Sequence, residues 1–562
     1  MISQFMKSFT FFGIHFCFLF SSMVNSFTIL ESGQRIEPIK RTGAENLALS
    51  PHVTTDMKET RNKVMTTGFL DLPAIEKWAK FYNVKEHHIK TLYRVLLRQS
   101  GGAPSTSTLE PDQYTDNCHP TPLLALDLHN KLLESDFPQK AASALFRDSA
   151  DISSLNSKKH DESQPHFNIN FVPCTSQVIK VQPSQSGGFK LVVQLQSGKM
   201  VETVIIRHDK SKISKKSDEK SHDDESSTQS RYTVCVSSQV GCARACTFCA
   251  TGSMGLQGQL SSCEILEQAW HAQRLISSLK QSNNLSKEEN KRTDLSLDFN
   301  ENKIHYKKKQ TMKNNQPLSD IRNVVYMGMG EPLDNYDAMI EACRGFTHQC
   351  LFGLKARQVT VSTVGATPSR IRWLAEDAPS ISLALSLHGA TRELREELIP
   401  SAKQIMKTVK TVGNENESAS PIKRVNVDSL EELGEALDYH AKCTGKGAMI
   451  EYLLIDGVND SDDAADALGK FCLERQTNLE IHQNSDSMKK GKSVSSFVNL
   501  IPYNPTLAGD DFGYGTPSDD RIDSFCFRLR ENYGVRALVR WSSAGGRDTN
   551  GACGQLALSS SK

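Results

Sequence analysis

The sequence has no excess of charge of either sign: 66 Lys and Arg stand against 65 Asp and Glu, a formal net charge of +1. That excludes a generally basic nucleic-acid coat, so any surface that grips a polyanion must be local, built where Lys and Arg cluster. Hydrophobic residues at 38%, aromatics at 7% and charged residues at 23% exclude a wholly disordered chain and a polytopic membrane protein. The cysteine density of a disulfide scaffold is also missing. The 14 cysteines are scattered over 562 residues, which leaves buried thiols, metal ligands or redox chemistry. At about 150 residues per domain the chain should hold three or four structural units.

What is present begins with an apolar run from Ser8 to Val24, preceded by Lys7, with Val24 and Ser26 as small residues at signal-peptidase-like spacing. His15 and several Ser interrupt it, so it reads as the core of a signal peptide rather than a span. Residues 1–26 are therefore expected to be a leader and 27–65 a transit or linker segment. Four charge-dense or Asn-rich stretches, 208–231, 281–319, 411–428 and 483–496, bury too little apolar surface to offset chain entropy and are read as inserted loops.

Between the insertions, strands alternate with helices. Tyr232 to Val236, Asn323 to Met327, Val359 to Ser362, Ile381 to Leu387, Met449 to Ile455 and Phe497 to Ile501 are short and nearly continuously apolar, the pattern of a parallel sheet covered by helices. Ser261 and Glu264 form a capping box, followed by Ile265, Ala269, Ala272, Ile276 and Leu279 at helical spacing. Six such strands predict an α/β fold, an open or partial (β/α)6 barrel over 232–505, with chemistry in the loops after the strands. A smaller accessory domain is expected at 66–207. It would comprise helices over Asp71 to Arg98 and a hairpin over Lys190 to Ile206 that turns at Ser197-Gly198. A C-terminal segment, 506–562, follows the barrel.

Cys242, Cys246 and Cys249 stand as C-x3-C-x2-C directly after the first barrel strand. Three thiolates can hold three irons of a cubane cluster and leave the fourth open to a small molecule. The alternative is a structural zinc site, which normally closes with a fourth ligand, and no paired Cys or His follows at zinc spacing.

The spacing, with Phe248 before the last Cys, resembles the radical S-adenosylmethionine (SAM) superfamily. Three further stretches, Cys235-Val236-Ser237-Ser238-Gln239-Val240-Gly241-Cys242, Met327-Gly328-Met329-Gly330-Glu331-Pro332-Leu333 and Ala552-Cys553-Gly554-Gln555-Leu556, resemble the RlmN/Cfr family of RNA adenine methyltransferases. The resemblance runs from about Phe69 to Leu556 outside the insertions. It implies a [4Fe-4S] cluster on Cys242, Cys246 and Cys249, two SAM molecules per turnover, and methylation of adenine C2 in large-subunit rRNA and in tRNA. In the implied scheme Cys553 carries the methyl group, a radical derived from a second SAM activates it, Glu202 removes the C2 proton, and Cys235 resolves the protein–RNA adduct, leaving a disulfide. Gly330, Glu331, Ser362, Ser386, Leu387, His388 and Asn504 match the family's SAM pocket. Two other outcomes stay open: methylation at C8, as in Cfr, and an iron-sulfur RNA-binding protein without turnover.

The tail departs from the family run, since Gly545, Thr549 and Gly551 replace Arg, Ile and Ala, which removes a charge and loosens the backbone. Local RNA contacts are expected from Lys355, Arg357, Arg370 and Arg372. The resemblance further implies an electron donor such as flavodoxin or ferredoxin, no stable membrane association and a monomer. Oxygen-sensitive chemistry needs a reducing compartment, and Phe27 after the leader resembles the bipartite leaders of algal plastids, although Glu31, Glu37 and Glu45 are more acidic than most transit peptides. The expectation is therefore a plastid, with mitochondrion or cytoplasm as alternatives. A fluorescent fusion of residues 1–65 should enter a reducing organelle that contains ribosomes; secretion or a diffuse cytosolic signal would contradict it.

Overall fold

The structure is a computed structural model describing residues 65–98, 130, 132, 137–138, 145, 169–172, 174–208, 230–293, 320–403, 405–410, 422–427, 429–485, 497–541 and 549–557. The expected leader at 1–26, the segment after it up to 64, and residues 542–548, which hold much of the departing tail sequence, lie outside the described residues.

The chain opens with β1 (Met65–Gly68), α1 (Leu72–Phe81), α2 (Glu86–Arg98) and β2 (Ile169–Val172). Asp71 caps α1, its Oδ1 accepting from the Ala74 N–H at 3.1 Å. An antiparallel run follows: β3 (Gln177–Pro183), β4 (Phe189–Gln194) and β5 (Met200–His208), with the expected turn closed by Gly198 N–H to Leu195 O at 2.9 Å. Next come β6 (Arg231–Cys235), β7 (Gln239–Gly241), α3 (Ala250–Ser253), β8 (Leu256–Gln259) and α4 (Ser262–Thr293). The barrel continues through β9 (Ile321–Tyr326), α5 (Tyr336–Thr347), β10 (Val359–Thr363), α6 (Pro368–Asp377), β11 (Ser382–Ser386) and α7 (Arg392–Leu398). A hairpin of β12 (Ile405–Lys410) and β13 (Ile422–Val427) precedes α8 (Ser429–Thr444), β14 (Met449–Leu454), α9 (Asp462–Ser485) and β15 (Phe497–Pro502). The described chain ends with α10 (Leu507–Asp510), α11 (Asp519–Tyr533), β16 (Arg536–Val539) and a tail of turns.

One ten-stranded sheet has the order β16-β15-β14-β11-β10-β9-β6-β5-β4-β3. From β6 to β16 every pairing is parallel, and each strand lies beside its predecessor in that sheet. Every crossover therefore steps the same way, which is how a barrel rather than a doubly wound sheet grows. The six expected strands are all present, and β16 adds a seventh. Its short Arg-Ala-Leu-Val sequence, partly exposed at the edge, lacks the apolar run that marks the others.

Three expectations need correction. The hairpin assigned to a separate accessory domain continues the barrel sheet, because β5 pairs antiparallel with β6 across the charged stretch that hides this continuity in the sequence. The stretch 281–319 is not all loop, since α4 runs on to Thr293. Within 411–428, Ile422–Val427 pairs with Ile405–Lys410. The α4 capping box is as expected: Glu264 accepts from Ser261 N–H at 2.9 Å while Ser261 Oγ accepts from Glu264 N–H at 3.2 Å. The buried face of α4 includes Ile265, Ala269, Ala272 and Ile276, and the Trp270 indole donates to Leu96 O at 3.3 Å, tying α2 to the barrel. Among the described residues no helix is long and apolar enough to cross a membrane.

Candidate active site

After β6 the chain enters the three-cysteine loop through β7. Gly241 opens the loop at φ 72°, where a Cβ would strike the Gly255 carbonyl, so glycine is required. Cys242 N–H donates to that carbonyl at 3.1 Å. Ala245 turns the loop in the left-handed region at φ 51°, at a cost of about 1 kcal/mol for a residue with a Cβ. The Thr247 N–H donates to Leu398 O at 3.1 Å and its hydroxyl lies 3.0 Å from the Tyr514 hydroxyl, so α7 and the loop after α10 hold the turn.

Burial pushes the Cys242 thiol up to about 12 and raises those of Cys246 and Cys249. For Cys242 and Cys246, charge on the neighbouring cysteines and on Glu331 adds to the effect, which places the groups together. Thiols in this setting become thiolates only against a strong positive charge, as a metal centre provides. Behind them lies Arg395, fully buried, donating to Leu387 O at 2.8 Å and to the Val364 carbonyl. Its Nε has no partner, and its charge favours the Cys246 thiolate. Among the described residues no three His, Cys, Asp or Glu side chains already close on one point that would hold a metal ion. The donor chemistry, three grouped soft thiols with a buried cation beside them, suits an iron-sulfur cluster.

The residues expected to hold SAM line the strand ends. Gly330 sits at φ 95°, and a Cβ there would come within 2.4 Å of the Gln239 Cβ. The carboxylate of buried Glu331 accepts from Leu333 N–H at 3.1 Å and from Val364 N–H at 3.0 Å. It therefore braces two loops, with its remaining lone pairs available to an ammonium. Sheet register gathers the next group: Ser386 pairs with Glu451, Glu451 with Asn499, and Ser362 with Ala384, two residues before Ser386. Paired residues and their i+2 neighbours share a face, so Ser362, Ser386, Glu451 and Asn499 form a polar belt across four strands. The two serine hydroxyls are 3.2 Å apart, and Asn499 donates to Glu451 Oε1 at 2.9 Å. Leu387 is buried, and its N–H donates to Glu451 O at 3.0 Å. His388, at φ 57°, accepts from Leu453 N–H through Nδ1 at 3.0 Å. Burial and the Arg395 charge push it down to about 3, so it is a neutral imidazole carrying its proton on Nε2. Its ring meets Phe248 edge-on at 4.8 Å. Glu451 Oε2 and Asn504 Nδ2 are buried without hydrogen-bond partners, capacity that a polar ligand would fill.

The remaining three residues meet at the junction of β5, β6 and the tail. Val204 pairs with Cys235, which places Glu202 on the same face as Cys235 and one diagonal step away. Both are buried, so Glu202 is not the solvated hairpin carboxylate its surroundings in sequence suggest. Loss of hydration raises its carboxyl above the ordinary range, opposed by Lys190 and by the nearby Ala557 N–H. The tail is docked by Ala250 N–H to Gly554 O at 2.9 Å, by Thr251 Oγ1 to Leu556 O, and by Gln555 Nε2 to Pro505 O at 3.0 Å. Cys553 is solvent-exposed, yet surrounding protein and the Glu451 charge push its thiol up to about 11. Charge on Cys249 reaches Cys553, and charge on Cys553 reaches Cys235, whose thiol burial raises strongly. Cys553 thus lies near both the three-cysteine loop and Cys235, and both Cys235 and Cys553 are free.

The expected RNA-binding cations are not brought together. Arg370 pairs with Asp334 at 2.7 Å and Arg372 with Glu432 at 2.5 Å. Lys355 and Arg357 immediately precede β10, at the end of the sheet opposite the site. Sequence reading missed Arg395, Lys190 and Glu451. Only Glu451 left a signal, a carboxylate within an apolar strand.

No protein-family model matches the chain. It is 32% identical over 367 residues to "Ribosomal RNA large subunit methyltransferase N" of Nitrosopumilus maritimus, covering 65% of this chain and 76% of that protein. It is 32% identical over 394 residues to "Probable dual-specificity RNA methyltransferase RlmN" of Thermotoga neapolitana, covering 70% and 81%. The Synechococcus protein of the same description is 33% identical over 381 residues, covering 68% and 78%. Among solved structures, a radical SAM methyltransferase from Sphaerobacter thermophilus is 26% identical, with a TM-score of 0.48, covering 77% of this chain and 97% of that one.

Proposed function

Because the chain belongs to the RlmN family of RNA methyltransferases, we propose that it methylates C2 of adenine in large-subunit rRNA and in tRNA by radical SAM chemistry. The observation that supports this reading best is the grouping of an exposed thiol, a buried thiol and a buried carboxylate beside a three-thiol loop. A binding module needs the loop at most.

Cys242, Cys246 and Cys249 would hold a [4Fe-4S] cluster, while Gly330, Glu331, Ser362, Ser386, Leu387, His388 and Asn504 would hold SAM. When bound, these cofactors would supply the carbon-centred radical needed to alkylate an aromatic carbon too poorly nucleophilic for direct displacement, and would take back the one electron the base gives up as it loses its C2 proton. The protein supplies the relay. Cys553 carries the methyl group as a thioether and becomes joined through it to the base. Glu202 accepts the proton from C2. Cys235 attacks the thioether sulfur, so an S–S bond forms as the S–C bond breaks, and the departing carbon takes the electron pair and a proton. The disulfide is transient and must be reduced by two electrons, as a dithiol supplies, before the next turnover, while the iron-sulfur centre would call for a one-electron donor of the flavodoxin or ferredoxin kind. The chain would act as a monomer, and delivery to a plastid would give it bacterial-type ribosomes.

Reconstituted protein incubated with SAM, a reductant and RNA, followed by mass mapping of modified adenosines, should yield 2-methyladenosine. Methylation at C8 would assign the chain to the other regiochemistry, and unmodified RNA would leave only a binding role.

A further inference from the structure

The proposed base has a buried ionic partner that the relay does not use. Lys190 Nζ lies 2.9 Å from Glu202 Oε1, with the two side chains 5% and 2% exposed. Register explains how they meet. Lys190 pairs with Val204, two residues beyond Glu202 and opposite Cys235 on the other side. Glu202 is therefore the diagonal neighbour of both Lys190 and Cys235 on one sheet face, within reach of a long side chain. Oε2 of Glu202 is buried and has no hydrogen-bond partner. The carboxylate is thus held through Oε1 by the ammonium, while Oε2 is left without a side-chain partner and the Ala557 N–H of the tail lies near the carboxyl.

We propose that Lys190 is a positioning residue that keeps Glu202 ionised and fixes the carboxylate through Oε1, so that Oε2 serves as the acceptor for the C2 hydrogen of the bound adenine. The inference rests on the methyltransferase reading and deepens it. Burial opposes the charged form of Glu202, while Lys190 opposes protonation. A carboxyl in this setting without its lysine would be a neutral acid, unable to accept a proton. The other groups beside Glu202 cannot replace the ammonium: Cys235 on β6, Met329, whose sulfur accepts from the Glu202 N–H, and the Ala557 N–H of the tail carry no positive charge.

Lys190→Met and Lys190→Arg should be compared in the full-length reconstituted enzyme. In Lys190→Met, methylation of Cys553 should proceed at the normal rate, because that step does not use the base. Protein–RNA adduct should then accumulate, with release slowed about 100-fold at neutral pH. The acid limb of the release profile should move to higher pH, since the active form is the carboxylate and its proton is now held more tightly. Lys190→Arg should restore release to within a few-fold. An unshifted acid limb in folded Lys190→Met would overturn the proposal, reducing the pair to a structural contact. If Lys190→Met does not fold, infrared titration of the wild-type carboxyl band, assigned by its loss in Glu202→Gln, decides the matter. Glu202 should be ionised at neutral pH, and a protonated carboxyl there would overturn the proposal. That titration needs no RNA or turnover, so it stands even if the wild-type protein proves unable to methylate RNA.

Discussion

Cys235→Ala should accumulate protein covalently joined to RNA, whereas Cys553→Ala should form no adduct and lose methylation to background. The difference follows from where each thiol sits. Cys553 is exposed, as a methyl carrier must be if it is to meet both a methyl donor and a base. Cys235 is buried at the end of β6, shielded from solvent thiols and placed to attack only what the tail brings to it. With Cys235 removed, the thioether linking Cys553 to the base has no neighbouring thiol to displace it. Cys263, Cys174 and Cys343 are also buried, but their thiols contact Glu267, Ser176 and Tyr326 respectively rather than the tail, so none should substitute. Denaturing gel mobility with labelled RNA checks both variants. Normal turnover by either would dismiss the two-thiol relay, and an adduct in Cys553→Ala would assign the carrier role to another residue.

Cys246→Ala should abolish iron binding as well as activity. Its thiol is the middle one of three and the one whose charged form Arg395 favours most directly. Two thiols cannot provide the three-point protein ligation of a cubane with one open iron. Anaerobic reconstitution of the wild type should give about four irons per chain and the charge-transfer absorbance of such clusters, and the variant should give neither. Cys443→Ala is the appropriate control, because Cys443 is exposed on α8 and remote from the loop. Full iron in Cys246→Ala would refute the ligand assignment. Wild-type protein that took up zinc but no iron would favour the closed structural site instead.

The barrel was largely legible in the sequence because buried parallel strands must be apolar along their whole length, and each of the six carried that mark. β16 did not, since an edge strand exposes alternate residues and Arg536 begins it. Continuity between the hairpin and the barrel was hidden by the charged insertion that separates β5 from β6. Within the site, the three loop cysteines were legible from spacing alone, while Glu202, Cys235 and Cys553 were legible only through resemblance. Sequence distance says nothing about diagonal neighbours on a sheet. Arg395 stands among Arg392, Glu393, Glu396 and Glu397, a composition typical of a solvated helix, and only the fold turns it inward. Lys190 alternates with Leu191 as an ordinary strand residue would, yet it is buried because Glu202 is there to receive it. Glu451 and Asn499 were the signals left unused: a polar residue amid a buried apolar strand either has a polar partner or faces a ligand.

The central claim is that the methyl group passes through Cys553 on its way to adenine C2. Protein should first be incubated with SAM carrying an isotopically labelled methyl group until Cys553 is methylated, as seen in its tryptic peptide, and then freed of SAM. RNA, reductant and unlabelled SAM are added for a single turnover, and the modified nucleoside is analysed by mass spectrometry. The label should leave the Cys553 peptide and appear at C2 of adenine. An unlabelled methyl group on the base, with the label still on Cys553, would contradict the relay.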